Sequence, residues 1–260
     1  MRTYTLASAL VLLATASTAS AGIFGGCDNT APRSANVSAA GATRVVVIGR
    51  AGSLRVTGRR GAGEVRATGT ACASDRESLD RIKLTGTRNG TEVRIEVEIP
   101  DWSGIGWHET ALDLDVTVPA EVPLVVEDGS GDTKIENTGS LEVSDGSGDL
   151  DIRGVSGNLR VRDGSGDLTI RDVTGDVTIT DGSGDIDING AAAVTVLADG
   201  SGGLDVRNVR RNVVVESKGS GELHVADVGG DFRVLHKGSG DIDYERVAGK
   251  VDLPRKWKED

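Results

Sequence analysis

Gly166-Asp-Leu-Thr-Ile-Arg-Asp-Val-Thr174 runs directly into Gly175-Asp-Val-Thr-Ile-Thr-Asp-Gly-Ser183, and this pair decides the fold. Each nine-residue half reads as a turn followed by apolar, polar, apolar. That alternation has period two, so Leu168 and Ile170 share one face of a strand, as do Val177 and Ile179. A strand this short is not stable alone in water. It becomes stable when the next copy stacks on it about 4.8 Å away and completes its hydrogen bonds.

The copies are present. Asp128-Gly-Ser-Gly-Asp132 returns at 145–149, 163–167 and 181–185, then drifts to Asp199-Gly-Ser-Gly-Gly203, Lys218-Gly-Ser-Gly-Glu222 and Lys237-Gly-Ser-Gly-Asp241. Counted on the first glycine of each, the spacing is 17 to 19 residues. A period of that fidelity marks a repeat architecture. The expected fold is all-β, a single-stranded parallel β-solenoid of about 18 residues per coil and right-handed, with inward aliphatic columns that stack Leu168 between Leu150 and Ile186. The second turn of each coil carries an inward valine (Val155, Val173, Val209, Val228, Val247). From Val196 onward one extra residue precedes the Gly-Ser-Gly turn, which predicts a bulge at that corner. Asp gives way to Lys218 and Lys237 at the same corner.

Outside the coils the pattern divides the chain into five parts. Residues 1–21 read as a removable signal peptide, with Arg2, an apolar run from Leu6 to Ala16, and small residues ahead of Gly22. Residues 22–40 read as a flexible segment, 41–123 as a β-rich cap, 124–253 as regular coils and 254–260 as a tail. Within the cap, Ser74-Asp-Arg-Glu77 reads as a capping box that opens a helix near 75–83. Asn89-Gly90 predicts a hairpin joining 82–87 to 92–99, and 111–118 reads as a strand. Trp257 could fold back over the last apolar layer. No segment beyond the leader has the run of about 18 apolar residues that a membrane helix requires, so an exported protein of the periplasm or cell surface is expected. Cys27 and Cys72, the only cysteines, are expected to pair in that oxidising compartment. The alternative is lipidation of Cys27, for which Phe24 and the distance from the apolar run are both unsuitable.

The charge is −11 and belongs to the repeats, where residues 124–253 hold 25 acidic and 13 basic side chains. Such a surface disfavours nucleic acid and anionic lipid as partners. Aromatic residues are only 3% of the chain, which suits a narrow aliphatic core.

The leader, the mixed N-terminal strands and helix, and the Gly-Ser-Gly-Asp-[Leu/Ile]-x-[Ile/Val] coils resemble the bacterial "putative adhesin" β-strand-repeat family of exported proteins. The resemblance spans residues 40–253 and implies a β-helix at the envelope without catalytic residues.

Several residues are candidates for chemistry. Asp132, Asp149, Asp167 and Asp185 should stack, as should Asp128, Asp145, Asp163, Asp181 and Asp199. Hard oxygen ligands in such columns suit calcium. Calcium β-rolls, however, place Asp two residues before the core residue, where this chain has Gly166 before Leu168. Turn capping by the aspartates is the competing reading. Like charges about 4.8 Å apart repel by about 0.9 kcal/mol in water, which core burial exceeds.

The seven Gly-Ser-Gly serines lack the spacing of a nucleophile elbow. His108, His224 and His236 are too scattered for a zinc site. Trp102 and Trp107 form the one aromatic cluster, suited either to binding a sugar or protein partner or to plugging the flank of the solenoid. The expected function is therefore a non-enzymatic structural or adhesive module offering a rigid acidic face to an envelope protein or glycan. Self-association through the solenoid ends is a further expectation. A calcium-binding β-roll-like protein is the alternative, and a carbohydrate-binding or carbohydrate-active β-helix is the third reading.

Overall fold

A computed structural model of the protein describes residues 27–99 and 109–255. The chain winds between two eleven-stranded sheets that face each other across an aliphatic core. Each coil contributes one strand to each sheet, so the two nine-residue halves of the repeat occupy opposite walls. Registers follow the repeat: Leu150, Leu168 and Ile186 align in the first sheet, and Leu159, Val177 and Val194 in the second, all in parallel. The expected β-solenoid is therefore the fold, and inward columns of Val, Ile and Leu are almost wholly buried.

The bulge lies where the spacing places it. Ile179 pairs with Val196 but Thr180 pairs with Ala198, which leaves Leu197 as the extra residue. The second turn has a feature that the valine pattern alone does not reveal. The residue before each inward valine or alanine adopts positive φ, at Gly154 (71°), Asp172 (58°), Gly190 (89°), Asn208 (58°), Asp227 (55°) and Arg246 (52°). Gly, Asn and Asp tolerate this conformation best, and they occupy five of these six positions. Arg246 departs from the rule and sits against Asp227, with its Nε 2.6 Å from Oδ1.

The N-terminal part begins with β1 (Asn29–Ser38), β2 (Arg44–Ile48), β3 (Leu54–Arg59) and β4 (Glu64–Ala73). It continues through α1 (Arg76–Arg81), β5 (Lys83–Asn89), β6 (Glu92–Glu98) and β7 (Thr110–Pro119), and leads into β8 (Leu124–Glu127) and β9 (Thr133–Glu136). β2 stacks in parallel on β8, and β3 on β9, so these two strands form a genuine first coil. Above them the winding changes. β4 runs antiparallel to β7 and β1, and β5 antiparallel to β6, so two antiparallel layers close the end of the stack. The hairpin turns at Gly90, whose φ is 58°.

Two expectations are corrected here. The segment 22–40 is not simply flexible, because residues 29–38 form β1, which pairs with β4 along its whole length. Its alternating half-buried pattern packs Ala31, Ala35 and Val37 onto the core. The helix cap is Asp75 and not Ser74: Asp75 Oδ1 accepts the Ser78 N–H at 2.8 Å, while Ser74 Oγ accepts the Glu109 N–H at 2.9 Å. At the other end of α1, Arg33 of β1 donates to the Leu79 and Ile82 carbonyls at 2.7 and 2.8 Å, satisfying the helix C-terminus. A Cys27–Cys72 disulfide ties the residue ahead of β1 to β4. The leader, Trp102, Trp107, His108 and Trp257 lie outside the described residues.

Candidate functional site

The two aspartate columns lie on either side of the Gly-Ser-Gly turn, and the turn aims them in opposite directions. Asp132, Asp149, Asp167 and Asp185 follow the second glycine and point outward. Each Oδ1 accepts the backbone N–H of the equivalent residue one coil on, at Asp149 (3.3 Å), Asp167 (3.1 Å), Asp185 (3.0 Å) and Gly203 (2.7 Å). A carboxylate bonded to the next coil caps a turn and fixes the coil spacing together. Asn158, Asn212 and Asp231 do the same at the opposite corner, accepting from Asp176, Asp231 and Lys250.

Asp128, Asp145, Asp163, Asp181 and Asp199 precede the first glycine and point inward. This departs from turn capping, the reading offered for both columns from the sequence. Relative exposure is 9, 7, 7, 4 and 2% along the column. Neighbours align strand on strand, Asp145 with Asp163, Asp163 with Asp181 and Asp181 with Asp199. Period two accounts for the burial: Leu159, Val161 and Asp163 are alternate residues of one strand and share its inner face. The signal was present in the sequence, but the aspartate sits beside a glycine-rich turn and reads there as a turn residue.

Burial raises the pKa of all five, the dominant cause in each. Asp128 is pushed up to about 6, tempered by its bond from Thr133 Oγ1 at 3.1 Å. Asp145 and Asp181 are each pushed up to about 7, burial being reinforced by the carboxylates on either side. At Asp199 the Lys218 ammonium opposes the rise.

The column has defined ends. Above Asp128 the equivalent position is Gly49, where any Cβ would collide with Asp128 Oδ1. Below Asp199 the register continues into Lys218 and then Lys237. Lys218 is 1% exposed, and its Nζ lies 3.0 Å from Asp199 Oδ2. It also donates to the carbonyls of Gly202 (2.7 Å) and Ser220 (2.6 Å). Lys237 Nζ repeats the pattern with the Gly221 carbonyl at 2.8 Å and that of Ser239.

On the outer surface of the first sheet, Lys134, Asp151, Thr169, Asp187, Asp205, His224 and Asp243 form one row, each one coil from the next. Beside the outward Asp column this row makes an acidic margin lining an open groove at Asp167, Asp185, Asp187, Asp205 and Glu222. His224 lies in that row and faces outward. The next outward row is mostly basic or neutral, with Arg153, Arg171, Asn189 and Arg207. Among the described residues no three His, Cys, Asp or Glu side chains converge as metal ligands. No helix among them is long and apolar enough to cross a membrane.

A family model and one solved structure agree with this architecture. The family model described as Toastrack DUF4097 matches residues 43–243. A solved structure from Bacteroides fragilis, described as a "putative adhesin", superposes with a TM-score of 0.52 at 15% identity, covering 87% of this chain and 98% of that one. A "putative cell adhesion protein" from Clostridium sporogenes gives 0.41 at 12% identity, covering 86% and 99%. A "Putative lipid binding protein" from Parabacteroides distasonis gives 0.45 at 15% identity, covering 88% and 98%. No curated protein matches the sequence.

Proposed function

Because the chain belongs to the Toastrack DUF4097 family, we propose that it is an exported, non-enzymatic interaction module of the cell envelope. It would present a rigid acidic margin to a partner rich in basic or polar groups. The observation that carries this reading is the register of the first sheet. Asp151, Asp187, Asp205 and Asp243 recur on one outward row beside the outward turn carboxylates, at a spacing set by backbone hydrogen bonds. A surface so held loses little side-chain and backbone freedom on binding, and its acidic charge steers a complementary partner.

Export is supported by the leader-like residues 1–21 and by a disulfide, which persists in oxidising compartments. The adhesin description of one solved structure agrees with an adhesive role. A non-enzymatic role is supported by the even distribution of acids along the coils, with no coil breaking pattern to assemble an acid–base pair around a cleft.

Cosedimentation of the purified protein with bacterial envelope fragments tests the reading. A variant with Asp151, Asp187, Asp205 and Asp243 all changed to Asn should fold normally and lose most of the binding, and wild-type binding should weaken as salt rises. Equal binding by the two proteins would reject the acidic margin as the contact surface.

A further inference from the structure

The buried column holds more carboxylates than partners. Neither oxygen of Asp145, Asp163 or Asp181 receives a hydrogen bond of good geometry, although these residues are only 7, 7 and 4% exposed; the polar groups nearest them are their own turn amides and, between Asp163 and Asp181, the facing carboxyls. Hard oxygen ligands enclosed in a protein and short of well-placed donors are a setting for a cation.

One coil further along, the chain supplies a cation of its own. Lys218 takes the aspartate position, and its ammonium is surrounded by Asp199 Oδ2, the Gly202 carbonyl and the Ser220 carbonyl, all within 3.0 Å. Every one of these is a hard oxygen: a carboxylate from the preceding coil and two carbonyls from Gly-Ser-Gly turns. Lys237 occupies the same kind of place one coil on.

The coils above carry the same turn in the same register, with φ at the second glycine of 122° (Gly148), 133° (Gly166), 141° (Gly184) and 120° (Gly202). The carbonyls that serve Lys218 therefore have counterparts at Gly148 and Ser165 for Asp163, and at Gly166 and Ser183 for Asp181. Ser165 and Ser183 each accept one backbone N–H at 3.0 Å, which leaves a second lone pair on each oxygen.

We propose that the column from Asp145 to Asp181 binds hard divalent cations of calcium's class, each held by carboxylates of successive coils and by Gly-Ser-Gly carbonyls, with Lys218 and Lys237 as the chain's built-in counterparts. Charge sets the valence: an ammonium matches the single carboxylate of Asp199, whereas two stacked aspartates match a divalent ion. Oxygen-only donors exclude a preference for soft or nitrogen-seeking metals. Because no three acidic side chains converge among the described residues, the carbonyls are necessary members of the donor set. The site is inside the coil and separate from the acidic margin, so either can fail without the other.

Equilibrium dialysis of chelator-stripped protein against calcium chloride at pH 8, paired with thermal melts, tests the proposal. Sodium chloride of equal ionic strength serves as the reference and magnesium chloride as the size comparison. Saturable calcium uptake is expected, with a melting temperature several degrees above that in sodium chloride. D163N and D181N should each lower calcium affinity by at least about ten-fold. D167N, on the outward column of the same turn, should bind as wild type does. Absence of saturable uptake by the wild type overturns the proposal, as does equal affinity in D163N and D181N. Should those variants not fold, wild-type uptake and its melting shift decide the matter by themselves.

Discussion

Lys218 and Asp199 form an ion pair whose two side chains have no exposed surface, with Nζ 3.0 Å from Oδ2. A pair this deeply enclosed gains little over apolar residues of the same size, but removing one member leaves the other charge without compensation. K218M should therefore cost about 3–5 kcal/mol by urea unfolding at pH 8. The double variant D199L/K218M should recover most of that loss. The K218M penalty should shrink as pH falls, because Asp199, whose pKa burial raises, can take up a proton instead. An additive double variant would mean that the two side chains are energetically independent.

The rest of the inward column sets a pH dependence. Asp145 and Asp181 are raised to about 7 and Asp128 to about 6, all mainly by burial, against an ordinary value of 3.8. A carboxyl with a raised folded pKa binds its proton more tightly when folded, so its stabilising effect is complete below the unfolded value. That effect falls as pH rises from about 4 and is exhausted above about 7. In chelator, the melting temperature should thus decline between pH 4.5 and pH 8, the reverse of the acid lability of proteins with salt-bridged carboxylates. Each pKa unit corresponds to about 1.4 kcal/mol, so the decline should be plain in a melting series. D145N/D181N should flatten it, and an unchanged slope in that variant would place its origin elsewhere.

The aliphatic ladder was legible in the sequence because its signal is local and repeated. Leu168 and Ile170 alternate with polar residues, and the same pair returns one coil later at Ile186 and Ile188. The hairpin at Asn89-Gly90 and the bulge at Leu197 were legible for the same reason, since each depends on residue type and count. Asp163 was harder to place. Its strand parity points it inward with Val161, but its charge and neighbouring glycine suggest a solvated turn, and only the sheet register decides between the two. β1 was hidden for a different reason. Asn29–Ser38 carries mostly small or polar side chains, and its strand character comes from pairing with β4, some 35 residues distant in sequence, and from the disulfide at Cys72. The tolerance for positive φ before each inward valine is visible as a Gly, Asn or Asp preference, but only once the coils are aligned in three dimensions.

Cys27 and Cys72 close a loop with a sequence separation of 45 and hold the first residues of β1 against β4. Loop-closure entropy for a span of that size gives about 2–4 kcal/mol of stabilisation. C27S/C72S should accordingly lower the melting temperature while leaving the far-ultraviolet spectrum of the coils intact. Limited proteolysis should then cut within residues 29–38 before any cut appears in the coils, because β1 is an edge strand with one neighbour in its own sheet. Equal protease resistance with and without the disulfide would show that pairing with β4 alone holds the strand.

Gly184 has a φ of 141°, and a Cβ at that position would collide with the carbonyl oxygen of Gly166 in the coil above. Two separate costs coincide there: a backbone conformation that L-residues rarely adopt, and a steric block to the spacing on which every later coil depends. Gly41 provides the control, since its φ is 69° but nothing lies within 4 Å of the added carbon. G41A should cost about 1–2 kcal/mol, the conformational penalty alone. G184A should cost clearly more and broaden the unfolding transition, because coils on the two sides of the lesion no longer stack cooperatively. Equal penalties at the two sites would mean that coil spacing relaxes around an added methyl, and that close turn-to-turn contact is not what holds the stack in register.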